Sequence, residues 1–373
     1  MKIDVFKMER MQSTWENVVD YNLSESGVRP LDLNWLLAPD ELASLAELEL
    51  GYTQTNGTVP LRREISRRYP GASLEQVLVT AGSSEANFLL AWSLVEPGDE
   101  VLFELPNYMQ MAGLLRAFGA DVKPFRLRES LGWQPDLDEM SRLVTPKTKL
   151  IVLTNPNNPT GAVLSDEAMR GIVGLAAKAG AWILADEVYQ GAELSGVRTP
   201  SFWGRYERVL AVGGLSKAYG LPGLRIGWVV GPEEAVKRTW PYHDYTTISP
   251  SALSDRLAAL ALSPGKRERL LERTRRILEA NLPVLEGWLR AHGDLFSFHP
   301  PKAGAIVFAR YGLDVPSVEL AERLVREQSV LVVPGDHFET EGFLRFGFGS
   351  DRAYLLQALA RIDETLKKAG GTW

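Results

Sequence analysis

Between Tyr52 and Gly231 short apolar runs alternate with longer stretches of helical spacing, and this alternation most narrows what the chain can become. Several of the runs are rich in Val, Ile and Leu on both faces, which suits strands covered by helices on either side of a parallel sheet. The spacing predicts strands at Gln76–Thr80, Glu100–Glu104, Asp121–Phe125, Lys149–Leu153, Trp182–Ala185, Arg208–Val212 and Arg225–Val230. Helical stretches such as Ser84–Leu94, Tyr108–Ala117 and Asp166–Ala177 fall between them. The expected fold is therefore α/β, with a seven-stranded, mostly parallel sheet in a large domain.

After Pro250 the pattern changes. Lys266 to Ala291 is dense in Arg, Glu and Leu at helical spacing, with Pro283 expected to kink it. Ala305–Ala309, the helix Ser317–Glu327, Val330–Val333, Phe343–Phe348 and a closing helix Arg352–Lys367 read as a smaller α+β domain. Residues 1–45 have no place in the alternating scheme and are expected to pack on that smaller domain as an N-terminal arm. The expected division is a large domain over 46–265 and a small one built from 1–45 and 266–373.

Composition removes several classes of function. Without any cysteine the chain has no disulfide, no thiolate nucleophile and none of the common structural zinc patterns. The four histidines, His243, His292, His299 and His337, show no ligand spacing, so no metal site is expected. A net charge of −6 with no polybasic run gives nothing to draw the chain to nucleic acid or anionic membrane. No apolar run approaches the roughly 20 residues of a membrane span, and the expected location is the cytoplasm. The ligands should be small molecules.

Four segments carry chemistry. In Leu215-Ser216-Lys217-Ala218-Tyr219-Gly220-Leu221-Pro222-Gly223-Leu224-Arg225, a lysine follows an apolar strand inside a glycine-rich loop. A partly desolvated lysine can lose its proton near neutral pH and form a Schiff base with a carbonyl, while Arg225 offers a planar fork for a phosphate. A purely structural loop is the alternative. Asp186, in Asp186-Glu187-Val188-Tyr189, ends another strand, where open α/β sheets place ligands. It can keep a pyridine nitrogen protonated, with Tyr189 near enough for the ring's phenolic oxygen, or simply cap a helix.

Asn155-Pro156-Asn157-Asn158-Pro159-Thr160-Gly161 forms a stiff turn from which Asn158 can address a ligand, the other two asparagines holding the turn together. Gly82-Ser83-Ser84 joins a strand to a helix start, where free amides and the helix dipole suit an anion, although paired serines there are also an ordinary N-cap.

Together these residues resemble the class I/II aminotransferases among the fold-type I enzymes of pyridoxal 5′-phosphate (PLP). Gly82-Ser83-Ser84, Asn158-Pro-Thr-Gly161, Asp186-x-x-Tyr189, Ser216-Lys217 and Gly223-x-Arg225 occur in that family's order and approximate spacing. The resemblance implies an internal aldimine on Lys217, which then shuttles the proton in a ping-pong transfer between an amino acid and a 2-oxo acid. It further implies that Asp186 pairs with the pyridine nitrogen and that Tyr189 and Asn158 bond the ring oxygen. Ser83, Ser84, Ser216 and Arg225 would surround the phosphate, and Tyr108 would stack on the ring.

Arg345, in Phe343-Leu-Arg-Phe-Gly-Phe348, looks like the arginine that grips the substrate carboxylate, with Asn158 and Gly27 as further substrate contacts. An arginine flanked by apolar residues is costly to bury without an anion, which agrees. Tyr52 looks like the tyrosine that reaches the phosphate of a neighbouring subunit, which implies a homodimer.

The chain departs from the family pattern in three places. Gly214 stands where a serine or threonine often touches the phosphate; the loop Ser24-Glu25-Ser26-Gly27 matches a common substrate loop only at Gly27; and Trp240 to Ser249 offers no arginine for a second carboxylate. The same motif set also serves C–S lyases and capreomycidine synthase-like cyclases, which the Gly82–Ala86 and Leu215–Arg225 segments resemble. A ligand-sensing regulator fused to a DNA-binding module is disfavoured by the lack of a basic patch.

Overall fold

Eight strands build the central sheet of the computed structural model, which describes residues 2–369. Their order across the sheet is Val77–Thr80, Gly227–Val230, Val209–Gly214, Trp182–Asp186, Thr148–Thr154, Glu100–Leu105, Asp121–Arg128 and Gln134–Pro135. Gly227–Val230 and Gln134–Pro135 run against their neighbours, and the remaining pairings are parallel. Adjacent residues of the central strands enter opposite cores: Leu102, Ile151 and Ile183 pack on one face, and Val101, Leu150 and Leu184 on the other. That two-residue alternation, apolar on both sides, is why these strands read as unbroken hydrophobic runs.

Several details differ from the sequence reading. The sheet has an eighth, two-residue edge strand whose Pro135 is tolerated because an edge leaves its missing N–H unneeded. The last strand starts at Gly227 rather than Arg225, because Arg225 takes a left-handed conformation (φ 51°) after the turn Pro222–Leu224. The expected strand Val330–Val333 is split, Val330–Leu331 and Val333–Pro334 lying in different sheets, and Asp121–Phe125 runs on to Arg128.

A second, antiparallel sheet has the order Phe296–Phe298, Ile306–Tyr311, Phe343–Gly347, Val333–Pro334. Tyr21–Asn22 pairs in parallel with Val330–Leu331 beside it. Met1 and residues 370–373 lie outside the described residues.

The helix Lys266–Ala291 continues across Pro283 for 26 residues, roughly 39 Å at 1.5 Å per residue. Leu270, Leu278, Leu285 and Leu289 bury its apolar stripe. Two buried polar side chains on it act as hooks. Thr274 donates to the carbonyl of Ala218 (2.7 Å), and Asn281 donates to the carbonyls of Phe348 (2.8 Å) and Ser350 (2.7 Å). Seven residues apart, they lie about two turns along the same face.

Candidate active site

Lys217 and Asp186 lie just beyond or at the carboxyl ends of neighbouring parallel strands, at the rim where open α/β sheets bind ligands. Both line a cavity of about 400 Å³, within the size range of small-molecule sites. Lys217 Nζ donates to Oε1 of Glu25 (2.9 Å). Burial works hardest against the ammonium, but the Glu25 and Tyr189 charges and the Glu25 hydrogen bond together outweigh it and hold Lys217 above the ordinary lysine range. Burial likewise pushes the Glu25 carboxyl up, yet Lys217 and the amides of Gly27 and Ser26 bring it down to about 2.

Asp186 behaves in the opposite way. Burial raises its carboxyl to about 6, against the pull of the Val188 amide, the Asn87 side chain and the Lys217 charge. Among the described residues no cation forms an ion pair with it. A cationic ring nitrogen at this floor would restore the carboxylate.

The cavity's anion-binding end is shaped by missing side chains. Ser83 and Ser84 open the helix Ser83–Leu94, capped by Gly82 at φ 86°. A Cβ on Gly82 would strike the Arg225 guanidinium, and one on Gly227 would strike the Ser83 amide and the Gly82 backbone. Glycine at both places lets Arg225 and the helix start close on one small group, which suits a phosphate. Gly214 lines the same end, and a Cβ there would lie 3.4 Å from the Ile226 carbonyl oxygen and 3.9 Å from Ser83 Cβ, an ordinary contact.

Opposite stands Arg345, 1 % exposed, on the strand Phe343–Gly347. Its Nη1 donates to Oδ1 of Asn158 (2.7 Å) and its Nη2 to the Ser24 carbonyl, while Nε has no partner among the described residues. No carboxylate forms an ion pair with it among those residues, so this buried fork faces the cavity ready for an anion. Tyr189 donates to Ser26 Oγ (2.8 Å) and Tyr108 to Glu9 Oε1 (2.8 Å). Asn155 and Asn157 are consumed within the turn: Asn155 accepts the Leu164 amide (3.0 Å), and Asn157 bonds Glu104 (2.7 Å) and Thr160 (2.7 Å).

Ser83, Ser84, Tyr108, Asn158, Asp186, Tyr189, Ser216, Lys217, Arg225 and Arg345, all singled out in the sequence, line this one cavity. Gly27 does not; it backs the lysine, where a Cβ would lie 3.2 Å from the Ser216 carbonyl oxygen and 3.5 Å from Lys217 Cα. Tyr52 is also outside, 88 % exposed.

Sequence reasoning missed Glu25 and Ser26, and the N-terminal helix Lys7–Trp15, from which Met8, Glu9 and Gln12 reach the cavity together with Glu16. The spacing of Glu9, Gln12 and Glu16 marks one helical face and was the available signal.

Amides and Arg225 for a phosphate, a carboxyl lacking a cation and a lysine at one wall fit pyridoxal phosphate. The comparisons agree with that fit. Residues 23–362 match the profile of aminotransferase class I and II. The chain is 35% identical over 355 residues to capreomycidine synthase of Streptomyces vinaceus, covering 92% of this chain and 89% of that protein. It is 30% identical over 332 residues to the aspartate/prephenate aminotransferase of Thermus thermophilus, covering 87% and 86%. The crystal structure of a PLP-dependent aminotransferase from Streptococcus suis superposes with a TM-score of 0.93 at 35% identity, covering 99% of both chains. With cavity, cofactor fit and relatives in accord, the chain belongs to the class I and II aminotransferases and is a PLP-dependent enzyme.

Proposed function

We propose that the chain transfers an amino group between an amino acid and a 2-oxo acid by a ping-pong cycle centred on Lys217. The observation that carries this is Arg345: a buried guanidinium with no carboxylate of its own, bonded to Asn158 and sharing a cavity with Lys217 and Asp186. Ser83, Ser84, Ser216 and Arg225 would hold the cofactor phosphate, Asp186 the ring nitrogen, Asn158 and Tyr189 the ring oxygen, with Tyr108 against the ring. When bound, PLP supplies an electrophilic carbonyl and an electron-withdrawing ring that acidifies the α-proton of an amino acid joined to it.

Arg345 binds the substrate carboxylate and fixes which α-bond faces Lys217. Lys217 Nζ takes the α-proton and returns it one step later, so it must alternate between neutral and charged forms. Glu25, 2.9 Å away, stabilises the charged form. Gly27 backs Lys217 and keeps it close to the substrate.

We also infer a cytoplasmic homodimer in which Tyr52 reaches the partner's cofactor site. Leu50, Tyr52, Tyr245, Ile248 and Leu253 are exposed apolar side chains, and the segments carrying them are linked by the Thr53–Pro250 and Thr55–His243 hydrogen bonds. Apolar surface of this kind favours burial against a second copy. Among the described residues no helix is long and apolar enough to cross a membrane. The pairing of Tyr21–Asn22 with Val330–Leu331 supports a division into 46–265 and a small domain of 1–45 with 266–373.

A second reading, an amino-acid cyclase or C–S lyase on the same residues, is favoured by Glu9, Glu16 and Glu25 on the cavity wall, which would welcome a cationic side chain. One experiment separates the two. A transaminase given an amino donor alone releases one equivalent of oxo acid per site and stops until an oxo acid is added. A cyclase or lyase turns over continuously without an acceptor, and that result would overturn the first reading.

A further inference from the structure

A second cleft, of about 320 Å³, shares no lining residue with the catalytic cavity. Its inner end holds Arg68 and Tyr219, which are 7 % and 1 % exposed. Nε and Nη1 of Arg68 and the hydroxyl of Tyr219 have no hydrogen-bond partner among the described residues. No carboxylate pairs with Arg68 there; the guanidinium lies instead over the rings of Tyr219 (5.1 Å) and Trp228 (5.2 Å). Burial pulls it down to about 10. Stacking on aromatic faces offsets part of that cost but leaves the edge donors unused.

The nearest glutamates are already committed. Glu193 accepts the amides of Gly191 (2.9 Å) and Thr199 (2.8 Å), Glu268 pairs with Arg267, and Glu272 pairs with Arg275. Glu187, buried nearby, accepts from Ser201, Phe202 and Gln190, and burial raises its carboxyl to about 7. The cleft carries four arginines against three glutamates, with the uncompensated charge at its buried end.

We propose that this cleft binds a small oxyanion, a phosphate or a carboxylate, with Arg68 and the Tyr219 hydroxyl as inner donors and Arg267 and Arg275 at its mouth. A guanidinium edge beside a phenol is a donor set for an oxyanion, and the pairing is charge-assisted. Tyr219 stands two residues after Lys217, so an ion seated here touches the lysine loop without entering the catalytic cavity.

The test is calorimetric titration of the holoenzyme, whose cofactor phosphate already fills the Ser83–Arg225 cradle, with inorganic phosphate and separately with acetate, each in the Arg345→Gln background so that the anion site of the catalytic cavity does not contribute. The two arms distinguish phosphate from carboxylate. One saturable site per chain is expected for at least one of them. Arg68→Met should abolish it, and Tyr219→Phe, which keeps the ring, should weaken it about three- to tenfold, as loss of one hydrogen bond does.

Absence of saturable binding for both ions up to about 50 mM, where even a site of roughly 10 mM would be filled, overturns the proposal. So does wild-type binding by Arg68→Met. If that variant does not fold, unchanged affinity in both Tyr219→Phe and Arg275→Gln has the same force.

Discussion

Arg345→Gln removes a guanidinium that is 1 % exposed and has no ion-pair partner among the described residues, so its effects on activity and on stability should have different sizes. In the catalytic cycle the fork would make two charge-assisted hydrogen bonds to a substrate carboxylate. Each is worth about 1.5–3 kcal/mol, and their loss should cost about 3–5 kcal/mol, or 10²–10⁴ in kcat/KM at about 1.4 kcal/mol per decade. The fold loses the bonds to Asn158 and to the Ser24 carbonyl, but that carbonyl keeps the Gln12 amide at 3.1 Å and Asn158 faces the cavity. Removing an unpaired buried charge offsets the loss, so stability should stay within about 1 kcal/mol of the parent. Steady-state kinetics with an accepted amino donor and oxo acid measure the first effect, and denaturant unfolding of the cofactor-free protein the second. A kcat/KM within tenfold of the parent, or a loss of several kcal/mol in stability with activity retained, would refute the assignment and make Arg345 a structural residue.

Burial holds Asp186 at about 6, Glu187 at about 7 and Glu104 at about 8, all above their ordinary values. Such groups bind their proton more tightly when folded, so their contribution is complete below about pH 4 and is lost as pH rises through the folded values. The unfolding temperature of the cofactor-free protein should therefore fall between about pH 5 and pH 8, and Glu104→Gln should flatten the upper part; a rising profile contradicts this. Glu25→Gln withdraws the charge that holds Lys217 up, leaving burial to pull it down. The variant should take up PLP several-fold faster near neutral pH, read from the rise of the cofactor band, and slower uptake would count against it. Gly214→Ser adds a Cβ in ordinary contact with its neighbours, and with the hydroxyl it carries PLP dissociation should slow about three- to tenfold, the worth of one added hydrogen bond. Faster dissociation in that variant would show that the serine crowds the cradle.

The parts of this molecule that could be read from the sequence are those in which neighbouring residues act together. The strand ends expected at Leu153, Ala185 and Val212 fall within two residues of those observed at Thr154, Asp186 and Gly214, because each closes an apolar run, and the ligand loops come directly after them. The Ser83-Ser84 helix start and the Lys217–Arg225 loop are similarly local. What stayed hidden depends on residues far apart in the chain. Glu25 meets Lys217 across 192 positions, and Tyr108 meets Glu9 across 99, contacts that no local spacing encodes. The Gln134–Pro135 strand, two residues long, carries no periodicity and exists only because Leu127–Arg128 offers an edge. The apolar neighbours of Arg225 predict a strand there, whereas its left-handed backbone is set by the turn that precedes it.

Thr274 and Asn281 give the long helix a role beyond packing. One hook holds the loop of Lys217 and the other the segment just after the strand of Arg345, so both residues are tied to the same helix. On the roles proposed for them, amine handling for Lys217 and carboxylate binding for Arg345, such a site would work as a caliper. It would accept a substrate by the span between its amine and its carboxylate and leave the side chain to the acidic N-terminal wall. An α-amino acid would close that span; a β-amino acid of the same side chain, longer by one methylene, would overshoot it.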